Sequence, residues 1–258
     1  GKKLVQYTFR KNNLSHSQNF LKDPSFVKSL VDRSDITKQD TVIEIGPGKG
    51  IITSQLSQKS KQVIGIENDP YLANELKEDF KEIDNVKIFH GDILDWNLPQ
   101  YPYKVFSNIP FNLTADIVNK LLLDRNPPES SYLIMQDNAA KRFIGNPIGE
   151  DSQISILLQP FFDMGIVTKI SRYEYSPVPN VDTVLAYFKK KEIPLVNRKE
   201  QQLYRDFVIY GYNQWKPTLL ESFKEIFSYK QRKIISKRLH ISDSKPTDLN
   251  VKQWVDLF

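Results

Sequence analysis

The chain contains no cysteine. That excludes a disulfide framework and any thiolate chemistry. No apolar run reaches the 18 residues that a membrane span needs, and no signal-peptide pattern is present. Neither a membrane nor a secretory route is expected, and with cysteine absent the expected location is the cytoplasm. Glycine is scarce. There are ten in 258 residues, and five of them (46, 48, 50, 65 and 91) fall at the ends of predicted strands within one short region. No internal repeat and no low-complexity tract interrupts the sequence. The first residue is Gly1 rather than Met, which leaves room for native extensions.

What is present is ordinary for a globular chain: 40% apolar and 26% charged residues. The length suits one large domain, or one with a small companion. The net charge of +5 is unevenly spread. Residues 1–15 hold four basic residues and no acid, residues 16–188 hold 17 basic against 23 acidic, and residues 189–258 hold 15 against 8. Two basic ends around an acidic body suggest a polyanion held by the termini. The plainer alternative is a solvated surface with chance asymmetry.

Three segments are expected. Residues 1–23 form a basic, polar N-terminal segment. Residues 24–190 alternate β-rich runs with helical spacing. The runs are 41–45, 62–67, 86–92, 104–109, 131–136, 165–173 and 183–190, and stretches such as 70–83 and 114–124 place apolar residues at i, i+3 and i+4. This rhythm predicts an α/β domain with a parallel, doubly wound sheet. Asp23-Pro24 reads as the cap and first position of a helix. The last two runs have only a proline-containing stretch between them and are expected to pair like a hairpin at the sheet edge. Residues 191–258 carry helical spacing, many aromatics and many Lys and Arg, and predict a small helical domain.

The strongest local signal is "VIEIGPGKG", residues 42–50, a buried strand running into Gly46, Gly48 and Gly50 and then a helix. Glycines there permit a tight turn and close approach of a ligand, and the helix start favours a carboxylate or phosphate. The spacing is not the dinucleotide fingerprint, because the third glycine comes one residue early. Glu67 ends the next strand, 21 residues after Gly46, where an acid can accept from ribose hydroxyls. Asp92 ends the third strand, where it can accept from an adenine amino group while Ile93 packs on the ring. Either acid alone could simply cap a helix or turn; the set points to a nucleoside-bearing ligand at the carboxyl edge of the sheet.

The fourth strand ends on that edge in Asn108-Ile109-Pro110-Phe111. A nucleobase amino group is a poor nucleophile, because its lone pair is delocalised into the ring. Two acceptors aimed at its two N–H bonds, the Asn108 side-chain oxygen and the Pro110 carbonyl, favour a more tetrahedral nitrogen. Pro110 stiffens the turn, and Phe111 can stack on the base, an interaction worth roughly 1–3 kcal/mol. Methyl transfer from a sulfonium needs no strong base, so alignment supplies much of the rate. The alternative is a plain turn with Phe111 in the core.

Taken in order, "SQNFL" (17–21), "EIGPGKG" (44–50), "GIE" (65–67), "GDIL" (91–94), "NIPFNLT" (108–114) and "SPVPNVDT" (176–183) resemble the ribosomal RNA adenine N6-dimethyltransferases, the KsgA/Erm superfamily. The resemblance runs across nearly the whole chain. It implies a Rossmann-like catalytic domain with a smaller helical C-terminal domain, and S-adenosylmethionine as cofactor. It also implies that Asn19 and Leu21, with Gly46, Glu67, Asp92 and Asn108, contact that cofactor. No metal is expected.

Within the superfamily, "GYNQWKPTL" (211–219) and "IFSYKQRKIISKRL" (226–239) resemble the tail of the Erm family. That family modifies an adenine of 23S rRNA and confers macrolide, lincosamide and streptogramin B resistance. The other branch dimethylates two adjacent adenines of small-subunit rRNA, and "SPVPNVDT" leans toward it. A transcription-factor-like relative and an amino methyltransferase acting on DNA adenine or protein glutamine are further alternatives, the last disfavoured by Ile109. The expected partner is large-subunit rRNA before full ribosome assembly, met by a monomer. The target adenine must leave its stack, which favours an unpaired site. Arg10 and Lys11, with Lys2 and Lys3, and Lys141 and Arg142 near the pocket mouth, are the candidate phosphate clamps.

Overall fold

The computed structural model describes residues 19–214, 218–241 and 244–258. Its regular elements are β1 (Phe20–Leu21), α1 (Pro24–Asp32), β2 (Thr41–Ile45), α2 (Ile51–Lys59), β3 (Gln62–Glu67), α3 (Pro70–Asp79), β4 (Val86–His90), β5 (Lys104–Asn108), α4 (Thr114–Leu122) and β6 (Ser130–Gln136). They continue with α5 (Asp137–Ile144), α6 (Gln153–Leu158), β7 (Phe162–Ile170), β8 (Tyr175–Ser176), β9 (Thr183–Lys190), α7 (Gln201–Asn213), α8 (Leu219–Ser222), α9 (Tyr229–Leu239) and α10 (Val251–Leu257). Compactness divides the described residues into two units. One holds 19–137 and 166–189, the other 138–165 and 190–258. The chain thus crosses between units three times, where the sequence alone led to segments 1–23, 24–190 and 191–258.

The helix starts follow from capping. The Asp23 carboxylate accepts from the Ser25 N–H at 3.0 Å with Pro24 behind it, and Asp69 accepts from the Tyr71 and Leu72 N–H groups at 2.8 and 3.0 Å with Pro70 behind it. Each such cap is worth about 1 kcal/mol. The strands β2, β3, β5 and β6 read as apolar runs because they are buried on both faces, as parallel strands are. Val42, Val63, Phe106, Tyr132, Ile134 and Leu185 meet Val27, Leu30, Val31 and Leu56 in one core. Each fully buried side chain of this kind contributes roughly 1.5–3 kcal/mol.

The seven-stranded sheet has the order β4-β3-β2-β5-β6-β9-β7. Strands β2 to β6 are parallel, and β9 runs antiparallel to β6, Thr183 opposite Gln136. The chain builds outward from β2 through β3 to β4, then returns to lay β5 on the other side of β2. That reversal makes a switch point between β2 and β5, and open α/β sheets leave a ligand crevice beyond the carboxyl ends of their strands there.

Strands β7 and β9 are neighbours at one sheet edge, as the proline-containing connection implied. The run expected at 165–173 is displaced: β7 begins at Phe162 and ends at Ile170. The chain turns there because the Asp182 carboxylate accepts from the Arg172 N–H at 2.9 Å and the Ser171 hydroxyl from the Tyr173 N–H at 3.3 Å. The turn delivers β8, which pairs antiparallel with β1, Phe20 opposite Ser176 and Leu21 opposite Tyr175. No sequence period marked this two-residue pairing.

The second unit is helical apart from the start of β7 and Lys190. Phe207 stacks on Phe223 at 4.7 Å and meets Trp254 edge-on at 6.1 Å. The Tyr204 hydroxyl donates to the Ile156 carbonyl at 2.8 Å. A Cβ on Gly211 would lie 2.6 Å from the Trp254 ring, so only glycine admits this approach. Among the described residues, no helix is long and apolar enough to cross a membrane.

Candidate active site at the switch point of the sheet

At the switch point the hydrogen bonding between β2 and β5 changes along the strands. Their backbone pairing runs through Val42 and Ile43, opposite Lys104 and Val105. Two residues on, the Ile45 N–H turns instead to the buried Ser107 hydroxyl at 2.6 Å. A side chain replaces a backbone carbonyl, so the buried amide stays satisfied while the ladder ends. Sequence reading passed over Ser107, whose only signal is a hydroxyl in a buried strand.

Beyond β2 the glycine loop takes left-handed backbone angles, φ +62° at Gly46, +60° at Gly48 and +85° at Gly50. The three glycines differ in what faces them. Among the described residues, a Cβ on Gly46 would meet nothing within 4 Å, so this is where a ligand can approach the backbone. A Cβ on Gly48 would lie 2.8 Å from the Phe20 ring, and one on Gly50 2.7 Å from Phe80. The space at Gly48 is therefore filled by Phe20, which also carries the Lys49 ammonium 4.6 Å from its centre.

Glu67 ends β3 and is buried. Its two oxygens accept from the Gly48 N–H at 3.0 Å and the Asp69 N–H at 3.2 Å. It ties the glycine loop to the start of α3 and keeps acceptor capacity, since a carboxylate has about four lone-pair sites. Burial pushes its carboxyl above the ordinary range, against the pull of those N–H bonds. Asp92 is half-buried. One of its oxygens accepts from the Leu94 N–H at 2.9 Å, capping a short 3₁₀ turn, with Ile93 buried beside it. The simple capping role thus holds for one oxygen of Asp92.

Glu44 was not singled out from the sequence, although an acid inside "TVIEI" is a visible anomaly. It is 1% exposed and accepts from the buried Thr53 hydroxyl on α2. Burial, with a smaller contribution from the Glu67 charge, raises its carboxyl from the ordinary 4.5 to about 8. The strand and the helix flanking the glycine loop are therefore clamped by a carboxyl that is mostly neutral at pH 7.

At the end of β5, Asn108 is half-buried and its side-chain amide donates to the Asn19 carbonyl at 3.5 Å, a long contact. That orientation leaves the Asn108 side-chain oxygen on the other side. The Pro110 carbonyl accepts from the Leu113 N–H at 3.1 Å and the Thr114 hydroxyl at 3.3 Å; the same hydroxyl lies closer, 3.0 Å, to the Phe111 carbonyl. Phe111 is half-buried rather than part of the core. The Leu21 side chain belongs to the hydrophobic core, which leaves its backbone for a ligand. Lys141 and Arg142 lie on α5 in the second unit, with Arg142 against the Phe143 ring at 4.9 Å. Arg10, Lys11 and the other N-terminal basic residues fall outside the described residues, as do Trp215, Lys216 and Pro217 of the tail motif.

Comparison with known proteins settles the family. The profile described as "Ribosomal RNA adenine dimethylase" matches residues 9–258. The chain belongs to the ribosomal RNA adenine dimethylase family. It is accordingly a methyltransferase with a Rossmann-like fold. An "rRNA adenine N-6-methyltransferase" of Bacillus licheniformis is 33% identical over 100% of this chain and 91% of its own. A "Ribosomal RNA small subunit methyltransferase A" of Clostridium botulinum is 31% identical over 87% of this chain and 84% of its own. In fold, the 23S rRNA methyltransferase ErmE superposes with a TM-score of 0.79 over 93% of this chain and 98% of ErmE, at 23% identity. A dimethyladenosine transferase from Plasmodium falciparum gives 0.75 over 92% and 95%, at 20% identity.

The residues present fit S-adenosylmethionine, the cofactor implied by the family: among the described residues nothing covers the backbone at Gly46, and Glu67 and Asp92 stand at adjacent strand ends with acceptor capacity left over.

Proposed function

We propose that this dimethylase-family protein transfers a methyl group from S-adenosylmethionine to N6 of an unpaired adenine in 23S rRNA, and so confers resistance to macrolides, lincosamides and streptogramin B. The observation that carries the large-subunit reading is the tail. The motifs at 211–219 and 226–239 resemble the tail of the Erm family. The Clostridium small-subunit relative, at 31% identity over 87% of the chain, favours a second reading, dimethylation of small-subunit rRNA.

In this reading Glu67 accepts from the ribose hydroxyls of the cofactor and Asp92 from its adenine amino group. Gly46, with the Asn19 and Leu21 backbone, borders the same ligand; Gly48 shapes the loop. When bound, S-adenosylmethionine supplies an electrophilic methyl on a sulfonium, so the protein needs to orient the acceptor rather than deprotonate it first. Asn108, held by Asn19, offers its side-chain oxygen to one N6–H. The Pro110 carbonyl takes the other once the Thr114 hydroxyl settles fully on Phe111, the nearer of its two acceptors. Phe111 stacks on the base, and Lys141 and Arg142 meet phosphates.

The test is methyl transfer from labelled S-adenosylmethionine to protein-free large- and small-subunit rRNA, with stops mapped by primer extension. One stop at an adenine of the large subunit is expected. Paired stops near the 3′ end of the small-subunit RNA would replace this reading by the second.

A further inference from the structure

The two halves of the crevice ride on neighbouring strands. The glycine loop follows β2, and the turn of Asn108, Pro110 and Phe111 follows β5. Each half is anchored to its own outer neighbour. On the loop, the Gly46 N–H donates to the Ile66 carbonyl of β3 at 2.9 Å and the Gly48 N–H to Glu67 at 3.0 Å. On the turn, the Ile109 N–H donates to the Ile134 carbonyl of β6 at 3.1 Å. Between the halves, the residue pairing of β2 with β5 covers Val42 and Ile43, opposite Lys104 and Val105. Beyond it, the bond from the Ile45 N–H to the Ser107 hydroxyl spans the seam. Ile45 precedes Gly46 in the chain, and Ser107 precedes Asn108. Ser107 is 0% exposed, so no bulk water stands ready to replace its hydroxyl.

We propose that Ser107 is a positioning residue for methyl transfer, its hydroxyl setting the separation between the cofactor loop and the Asn108 turn. Transfer needs donor and acceptor atoms roughly 3–3.5 Å apart and aligned, and a misplacement of about 1 Å can cost about 10²-fold in rate. Without the hydroxyl, the ends of β2 and β5 are free to part while each half keeps its outer anchor. The loop and the β3 end, which carry most of the cofactor contacts, then stay together. Cofactor affinity survives and alignment does not. The proposal rests on this crevice being the methyl-transfer site, and it adds the residue that registers its two halves.

The experiment uses the full chain and whichever rRNA the wild type labels. Single-turnover methyl transfer at saturating S-adenosylmethionine and RNA gives the rate of the chemical step. Calorimetry with S-adenosylhomocysteine gives the affinity of the cofactor site. Ser107→Ala removes the acceptor, Ser107→Cys substitutes a weak one of similar size, and Ser107→Thr keeps the hydroxyl. Ser130→Ala is the reference for lost stability: Ser130 is buried at the start of β6, at the other end of the sheet, and its hydroxyl donates to Asp35 at 2.7 Å. The alanine and cysteine variants should lose roughly 10–100-fold in rate, with affinity within about threefold of wild type. The threonine variant and Ser130→Ala should stay within about threefold of wild type in both. A wild-type rate in the alanine or cysteine variant overturns the proposal. So does a loss of affinity that matches the loss of rate, which marks a general loosening of the pocket. An equal rate loss in Ser130→Ala, or a folded threonine variant as slow as the alanine one, overturns it too. Where the alanine variant does not fold, the cysteine variant decides. Full activity of Asn108→Ala refutes the reading of the site instead, and is seen in that variant alone.

Discussion

Replacing Glu44 by glutamine should remove one contribution to the pH dependence that the wild-type fold carries between pH 5 and pH 8. Burial penalises the ionised carboxylate, so its folded value is raised from 4.5 to about 8. A raised value means that the contribution is intact below pH 4.5 and is lost as the pH climbs toward 8, because the unfolded chain releases the proton first. With those two values the loss amounts to roughly 1 kcal/mol at pH 5 and about 3 kcal/mol at pH 7. Glutamine has the same shape, carries no charge to bury, and still accepts from the Thr53 hydroxyl. Urea unfolding at pH 5, 6, 7 and 8, at one ionic strength, measures the difference between the two proteins. Wild type should lose about 2–3 kcal/mol relative to the variant between pH 5 and pH 7. Glu67 titrates in both proteins and largely cancels. Two stability profiles that run parallel across this range would refute the assignment of a neutral carboxyl at Glu44.

Two further substitutions probe the crevice. Asn108→Ala should lower methyl transfer by on the order of 10²–10³-fold while circular dichroism stays that of wild type; a fully active variant would refute the role given to the turn. Ser107→Ala strands the Ile45 N–H and should cost about 1–3 kcal/mol in denaturant unfolding, whereas unchanged stability would show that this amide finds another acceptor.

The strands at 41–45, 62–67 and 183–190 were legible to the residue. A buried strand flanked by turn residues leaves an apolar run with sharp ends, and the Asp23-Pro24 pair announced a helix. What escaped notice depends on partners far apart in the chain. Asn19 and Asn108 are 89 residues apart, and the bond between Ile45 and Ser107 spans 62. Two-residue strands such as β1 and β8 have no period to detect. Residues 138–165 follow β6 directly and read as a continuation of the catalytic domain, yet they group with the C-terminal unit. At the site, the glycine loop and the two strand-end acids were visible as residue types. The division of labour within the loop, Gly46 open and Gly48 packed under Phe20, was not, because it depends on where an aromatic from the N-terminal segment comes to rest.

The site itself carries little information about which RNA is modified. Methylating N6 of an adenine asks for the same acceptors, the same ring and the same cofactor-binding strand ends whether the base lies in the large or the small subunit. Discrimination between RNAs of such different shape must then come from surfaces that do not touch the reacting base. RNA is read through its backbone path and unpaired bases, over distances longer than one pocket. Selection would then act on surfaces outside the pocket for the choice of RNA and on the pocket for the chemistry. On that account, the pocket residues would stay alike while the tail diverged.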